Sequence, residues 1–322
     1  MRDFVPDLGG FSGVLSVRRG EEILGEWSAG LADRAAGLPN TPATRFGLAS
    51  GTKTFTALTV LSLIDDGMLS LDTAARGILG PDLPLIADDV TVEHLLTHTS
   101  GIGDYLDEEV DELAPLALPA AELASTPAYL PMLDGFPTKF PAGERFSYCN
   151  GGYVVLALIV ERVTGTPFAD VVARRVFAPA GMTASGFPRS DALPPGTAIG
   201  YEDDGSANLL DLPFVGSGDG GAHSTVGDLH RFWRAFLAGD IVAPFSVGLA
   251  TEPVTPDADS GRGYGRGIWL SGGELMISGF DHGVTAMSRH DPATGITVTA
   301  LANVEAPVLA RTGASMDAAR AG

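Results

Sequence analysis

Ser50 and Lys53 stand three residues apart, in Ser50-Gly51-Thr52-Lys53, at the head of a strongly apolar segment. If residues 50–66 form a helix, positions i and i+3 share a face and the lysine amine reaches the serine hydroxyl. A serine hydroxyl is a weak nucleophile until a neighbour removes its proton. A lysine whose pKa is lowered by burial or nearby positive charge can do this, and the helix N-terminus adds partial positive charge beside Ser50. Tyr148-Cys149-Asn150 precedes the next strongly apolar segment. A tyrosine beside a lysine ammonium can rest as phenolate and take a proton. Asn150 can hydrogen-bond Lys53 and donate its amide to a substrate carbonyl. Together these residues would serve acyl transfer through a serine ester. Alone, a serine cap followed by a chance lysine explains S-x-x-K as well, because four-residue patterns are common.

Longer stretches surround these residues. Arg45-Phe46-Gly47-Leu48-Ala49 leads into the serine, and Val92-Glu93-His94-Leu95-Leu96-Thr97-His98-Thr99-Ser100-Gly101 follows the first apolar segment. Pro141-Ala142-Gly143-Glu144-Arg145-Phe146-Ser147 leads into Tyr148, and Asp219-Gly220-Gly221-Ala222-His223-Ser224-Thr225 precedes Asp228-Leu229. In these four stretches, from about residue 11 to about 304, the chain resembles the serine β-lactamase and penicillin-binding-protein superfamily, on its class C β-lactamase, DD-peptidase and esterase branch. Cys149 stands where that branch usually has serine.

The resemblance implies that Ser50 is acylated, that Lys53 and Tyr148 share the acid/base work, and that Asn150 binds polar atoms of the acyl group. It implies an oxyanion hole of two backbone N–H groups and neither cofactor nor metal. The superfamily's third motif, K-T-G or H-x-G, aligns with Ile277-Ser278-Gly279, which puts the second oxyanion donor at Phe280. A rival register uses Asp281-His282-Gly283 and would bring His282 to the site. With isoleucine at position 277 there is no cation to hold a substrate carboxylate, so an ester or amide with an apolar acyl group fits better than a β-lactam or a D-Ala-D-Ala peptide. The reading is a serine hydrolase or acyltransferase acting on a small ester or amide. Its rivals are a non-catalytic ligand-binding member of the fold and a β-lactamase or DD-peptidase.

The elements that must position these residues follow from periodicity. Residues 11–31 read as a hairpin and Thr44–Ala49 as a short extended entry. Ser50–Asp66 is a buried helix with Gly67 at its end, and Thr91–Thr99 a short helix capped by Thr91. Glu108–Leu133, broken by prolines, should be short helices and loops. Gly151–Thr164 is a second strong helix with Asn150 as cap and Gly165 as stop, and Thr225–Ala238 a third. Residues 185–220 look like a long surface excursion. Tyr264–Leu270, Glu274–Ser278, Val284–His290 and Ile296–Leu301 form an antiparallel meander. Strands at both ends and helices between them predict an α+β fold, an antiparallel sheet flanked by helices. We expect one domain over 1–322, with its α/β part at about 1–72 and 221–322 and an inserted mainly helical part at about 73–220. The N-terminal helix usual in the superfamily has little room before Phe11, so the sheet's outer face should be less covered.

Composition excludes other classes. The 322 residues are 45% hydrophobic and 19% charged, which is globular rather than disordered. Forty acidic residues against 20 basic give a net charge of −20, opposed to nucleic acid and to anionic membranes. Gly261–Gly267, with its glycine–arginine alternation, is therefore set aside as an RNA-binding segment. His94 and His98 lie four apart but have no H-E-x-x-H glutamate between them, so they are not read as metal ligands. One cysteine, Cys149, allows no intramolecular disulfide and reads as a small buried residue. No apolar leader and no long apolar run is visible, which predicts a cytoplasmic protein. The oligomeric state is left open.

Overall fold

The computed structural model of the chain describes residues 6, 8–109, 118–257 and 262–321. Asp111, Glu112 and Pro115 of the acidic, proline-broken segment, and Gly261, lie outside the described residues. The fold is mixed α and antiparallel β. The main sheet contains β1 (Gly13–Arg19), β2 (Glu22–Ala29), β3 (Thr255–Asp257), β4 (Arg262–Tyr264), β5 (Trp269–Ser271), β6 (Glu274–Asp281), β7 (Val284–Asp291) and β8 (Ile296–Ala302). Their order is β2-β1-β8-β7-β6-β5-β4-β3, so the two ends of the chain meet where β1 pairs with β8.

Both faces of this sheet are buried. Val14 and Leu301 face the larger core, with α1 (Thr52–Asp65), α2 (Asn150–Thr164) and α3 (Val226–Ala238) packed there. Phe55 of α1 and Phe232 of α3 meet edge to face at 5.4 Å, and the Trp233 indole N–H donates to Ser288 Oγ on β7 at 2.9 Å. Leu15, Val17, Met276, Met287 and Val298 face the other way. The expectation of a poorly covered outer face is corrected here: a C-terminal helix, α4 (Val308–Ala321), lies over it through Val308, Met316 and Ala319.

α1 is buried from Thr52 to Leu63 on every side. Its threonines therefore need partners, and the first three find them in the loops that wall the site. Thr52 Oγ1 accepts the Ala222 N–H at 3.0 Å, while Thr54 and Thr56 each donate to a carbonyl at 2.6 Å, Gly267 and Gly218 respectively. The helix ends as expected, with Gly67 at φ +71 and its N–H on the Ile64 carbonyl. Gly165 ends α2 in the left-handed conformation, and Thr91 and Thr225 cap their helices through their hydroxyls.

Three expectations change. Tyr264–Leu270 is not one strand: β4 ends at Tyr264 and β5 begins at Trp269. Cys149, not Asn150, is the N-cap of α2: its Sγ accepts the Gly152 N–H at 3.3 Å, and Asn150 is the first helical residue. Residues 185–220 are not merely a surface excursion. Short turns at Ser190–Ala192 and Asn208–Leu210 face the site, and Gly218 lies so close to α2 that a Cβ there would sit 2.0 Å from the Tyr153 carbonyl oxygen.

Candidate active site

Ser50 lies on a 3₁₀ turn, Ala49–Gly51, immediately before α1. Ala49 enters this turn at φ +46, a left-handed value uncommon outside glycine and often found where a functional side chain is held out. The Leu48 N–H donates to Ala222 O and the Gly51 N–H to Leu48 O, both at 2.8 Å. β6 presses against this turn. A Cβ on Gly279 would stand 1.9 Å from Leu48 O and 2.7 Å from Gly51 N, so only glycine fits. Ile277, fully buried, packs beneath Gly51. Ser278 and Phe280 line the cavity over Ser50, with Phe280 61% exposed at its mouth. Ile277-Ser278-Gly279 thus lies on the strand beside the serine. Asp281-His282-Gly283 instead spans the turn into β7, where the largely exposed His282 ring stands 3.3 Å from Glu202 and also lines the cavity.

Lys53 is buried, and its Nζ meets three oxygens: Ser50 Oγ at 3.0 Å, Asn150 Oδ1 at 2.7 Å and Asp219 O at 2.9 Å. The Tyr148 hydroxyl lies close enough to the Ser50 side chain for the serine to pull the phenol's pKa down. Its ring lies 4.4 Å from the tilted His98 ring and stacks on Trp269 at 6.2 Å, and the Lys53 ammonium lies 4.9 Å from its centre. The phenol does not rest as phenolate. Burial, then the Glu108 carboxylate, hold its pKa well above 10, with Asp219 and Asp104 adding to the effect. Asn150 is fully used: besides Lys53, its Nδ2 donates to Leu106 O at 2.9 Å and Glu108 Oε1 at 3.0 Å.

Sequence reasoning missed three supporting residues. His98 was read with His94 as a spaced pair, yet the two do different things. His94 Nδ1 accepts the Thr91 N–H in a capping box, while His98 is buried under Tyr148 and brackets it: its carbonyl accepts the Ser147 N–H at 2.9 Å and its Nδ1 the Cys149 N–H at 3.0 Å. Burial, then the Lys53 charge, keep the His98 pKa well below 6.5, so the ring is neutral. Asp104, also buried, accepts the Asn150 N–H at 2.6 Å and the Gly151 N–H at 2.8 Å. Asp219 takes the Tyr105 hydroxyl. Among the described residues no three His, Cys, Asp or Glu side chains converge as a metal site. Nor does any described helix have the length and apolarity to cross a membrane.

Ser50, Tyr148 and Asn150 open into a cavity of about 1650 Å³. Its walls include Leu193, Leu209, Leu210, Leu212 and Phe280, all apolar.

The beta-lactamase family model matches residues 1–321. A penicillin-binding protein from Bacillus halodurans superposes with a TM-score of 0.89 at 36% identity, covering 96% of this chain and 97% of that one. D-amino acid amidase from Ochrobactrum anthropi SV3 superposes with a TM-score of 0.79 at 25% identity, covering 97% and 95%. Esterase EstB of Burkholderia gladioli is 38% identical over 59% of this chain, which spans 50% of EstB. On the family match and this fold, the chain belongs to the beta-lactamase family.

Proposed function

We propose that the protein is a serine hydrolase that forms an acyl-enzyme on Ser50 from a small ester or amide whose acyl group is apolar and carries no carboxylate. The observation that carries this reading is the Lys53 environment. Two of the three oxygens around Nζ, Asn150 Oδ1 and Asp219 O, are carbonyl oxygens that can only accept. The third, Ser50 Oγ, can also donate. Once the ammonium has given up one proton, Lys53 keeps two N–H bonds to these carbonyls and turns its lone pair to Ser50.

In this mechanism Lys53 takes the Ser50 proton as Oγ attacks the substrate carbonyl. The Ser50 and Phe280 N–H groups receive the oxyanion. Tyr148, a neutral phenol beside Ser50, gives its proton to the departing alcohol or amine and regains one from Lys53. The C–O or C–N bond of the substrate breaks and a serine ester remains. Water attacks that ester by the reverse proton path and releases the acid; an alcohol or amine in its place gives acyl transfer. A polar atom of the acyl group other than the reacting carbonyl, where the substrate has one, displaces the exposed Glu108 from the Asn150 amide.

An esterase and an amidase among the matched proteins support the substrate class. Ile277 argues against a substrate carboxylate, since an alkyl group offers neither charge nor donor. The test is Ser50→Ala, assayed with p-nitrophenyl acetate. The substitution should lower kcat/KM by at least about 10³-fold in a protein of unchanged melting temperature. Turnover retained by Ser50→Ala overturns the assignment, and a ligand-raised melting temperature with no turnover in the native chain favours a binding protein.

A further inference from the structure

We propose that Asp104 is a positioning residue for this site, its carboxylate clamping the first turn of α2 so that Asn150 stays across Lys53. The inference rests on the reading of Ser50 as nucleophile.

The first N–H groups of a helix have no partners within it. In α2, Cys149 satisfies one of these groups and Asp104 two, from 46 residues earlier in the chain. Each carboxylate oxygen takes one: Oδ2 the Asn150 N–H and Oδ1 the Gly151 N–H. Oδ1 also accepts the Leu106 N–H at 3.3 Å, and the Leu106 carbonyl accepts the Asn150 side-chain amide at 2.9 Å. A closed ring results. Asp104 holds the Asn150 backbone directly and the Asn150 side chain through Leu106, leaving Oδ1 of Asn150 aimed at Lys53.

Among the described residues no cation contacts this carboxylate, and a neutral side chain would suit a buried position better. Of the titratable groups around it, Tyr105 lies on its own segment, Tyr148 and Cys149 lie ahead of α2, and Asp219 accepts the Tyr105 hydroxyl. Burial pushes the two phenols and the thiol up, so they stay uncharged in the neutral range. Asp219 is a second carboxylate, with Lys53 beyond it. Burial, helped by Asp219 and opposed by the three backbone N–H groups, raises Asp104 to about 6. As pH falls through that value, Asp104 gains a proton and one acceptor becomes a donor, which loosens the ring.

The experiment measures kcat and KM for p-nitrophenyl acetate from pH 5 to 9 in the wild type, Asp104→Asn, Asn150→Ala and the double variant. Ser50 labelling by a fluorophosphonate counts active sites, and melting temperature reports folding. In the wild type, kcat should fall about tenfold per pH unit below about pH 6. Asp104→Asn should lose at least about tenfold in kcat at pH 7.5, keep KM within about threefold and lack the acidic limb. In the Asn150→Ala background it should cost less than about threefold more. Wild-type kcat with the limb intact in Asp104→Asn, or additive losses in the double variant, overturns the proposal. So does a wild-type profile flat from pH 5 to 8, whether or not the variants fold. Ser50→Ala run alongside separates the two failures: turnover without Ser50 defeats the reading of the site, whereas a silent Asp104→Asn with a dead Ser50→Ala defeats only this inference.

Discussion

Lys53 has three oxygen neighbours, and only Ser50 among them can return a hydrogen to it. That asymmetry is local chemistry, and most of it was legible in the sequence: the i to i+3 spacing put the two side chains together before any fold was known. The position 277 substitution was legible too, and it gives a prediction at this scale. A substrate carboxylate finds no cation at Ile277, so p-nitrophenyl hemisuccinate should be hydrolysed with kcat/KM at least about tenfold below p-nitrophenyl butyrate, its near-isostere. A lost charge-assisted bond of about 1.5–3 kcal/mol sets that scale. Equal rates, or a preference for the acid, would count against the substrate reading. What the sequence hid was the state of Tyr148. Its phenolate needs more positive than negative surroundings, and Glu108, Asp219 and Asp104 come to it from other parts of the chain. Asp104 itself carries a stability consequence. Its pKa is raised to about 6, above its value in an unfolded chain, so its contribution to stability is fully present below about pH 4 and is lost as pH rises through about 6. The ionised carboxylate costs the fold on the order of 3 kcal/mol at pH 7.5. Asp104→Asn removes that cost but sets one amide N–H₂ against a backbone N–H, about 1–3 kcal/mol the other way. The melting temperature at pH 7.5 should therefore change little, within about 5 °C by calorimetry. A larger fall would make Asp104 chiefly a structural cap.

The site depends on how closely β6 approaches the turn that carries Ser50. Gly279 is the contact point, and Gly279→Ala drives a Cβ into the Leu48 carbonyl. Backbone cannot yield there as a flexible side chain would. Gly279→Ala should cost about 1–3 kcal/mol of stability and, because Phe280 N–H moves with the strand, at least about 10²-fold in kcat. Urea unfolding and steady-state kinetics check both, and unchanged kcat would show that this strand does not complete the oxyanion hole. The helices on either side of the site were readable because apolar residues recur along them and glycines stop them. The α2 cap was misread by one residue for a physical reason: asparagine is a favoured cap and cysteine is not, but here the asparagine side chain is needed at Lys53 and the thiol takes the N–H. The C-terminal helix was missed because its buried face, Val308, Thr312, Ser315, Met316 and Ala319, is built mostly of small or polar residues that no hydrophobic pattern flags.

At the scale of the molecule, the first and last strands of the chain pair one strand in from an edge of the sheet, and the nucleophile helix lies beneath the sheet, buried on all sides. The α+β character could be read from strands at both ends. The cavity wall formed by residues 185–220 could not, since its glycines and prolines signal turns whatever those turns face. Helix α4 and the site sit on opposite faces of the sheet, so a core change under α4 should reach stability without reaching chemistry. Met316→Ala should cost about 2–5 kcal/mol, read as a lower midpoint in urea, with kcat per active site unchanged. A fall in kcat would mean that the outer layer tunes the site. The account as a whole stands on the covalent intermediate. Intact-mass spectrometry after mixing the protein with an activated short-chain ester, followed by peptide mapping, should find one acyl group, on Ser50. Ester turnover with Ser50 unmodified, or an acyl group carried by another residue, would contradict it.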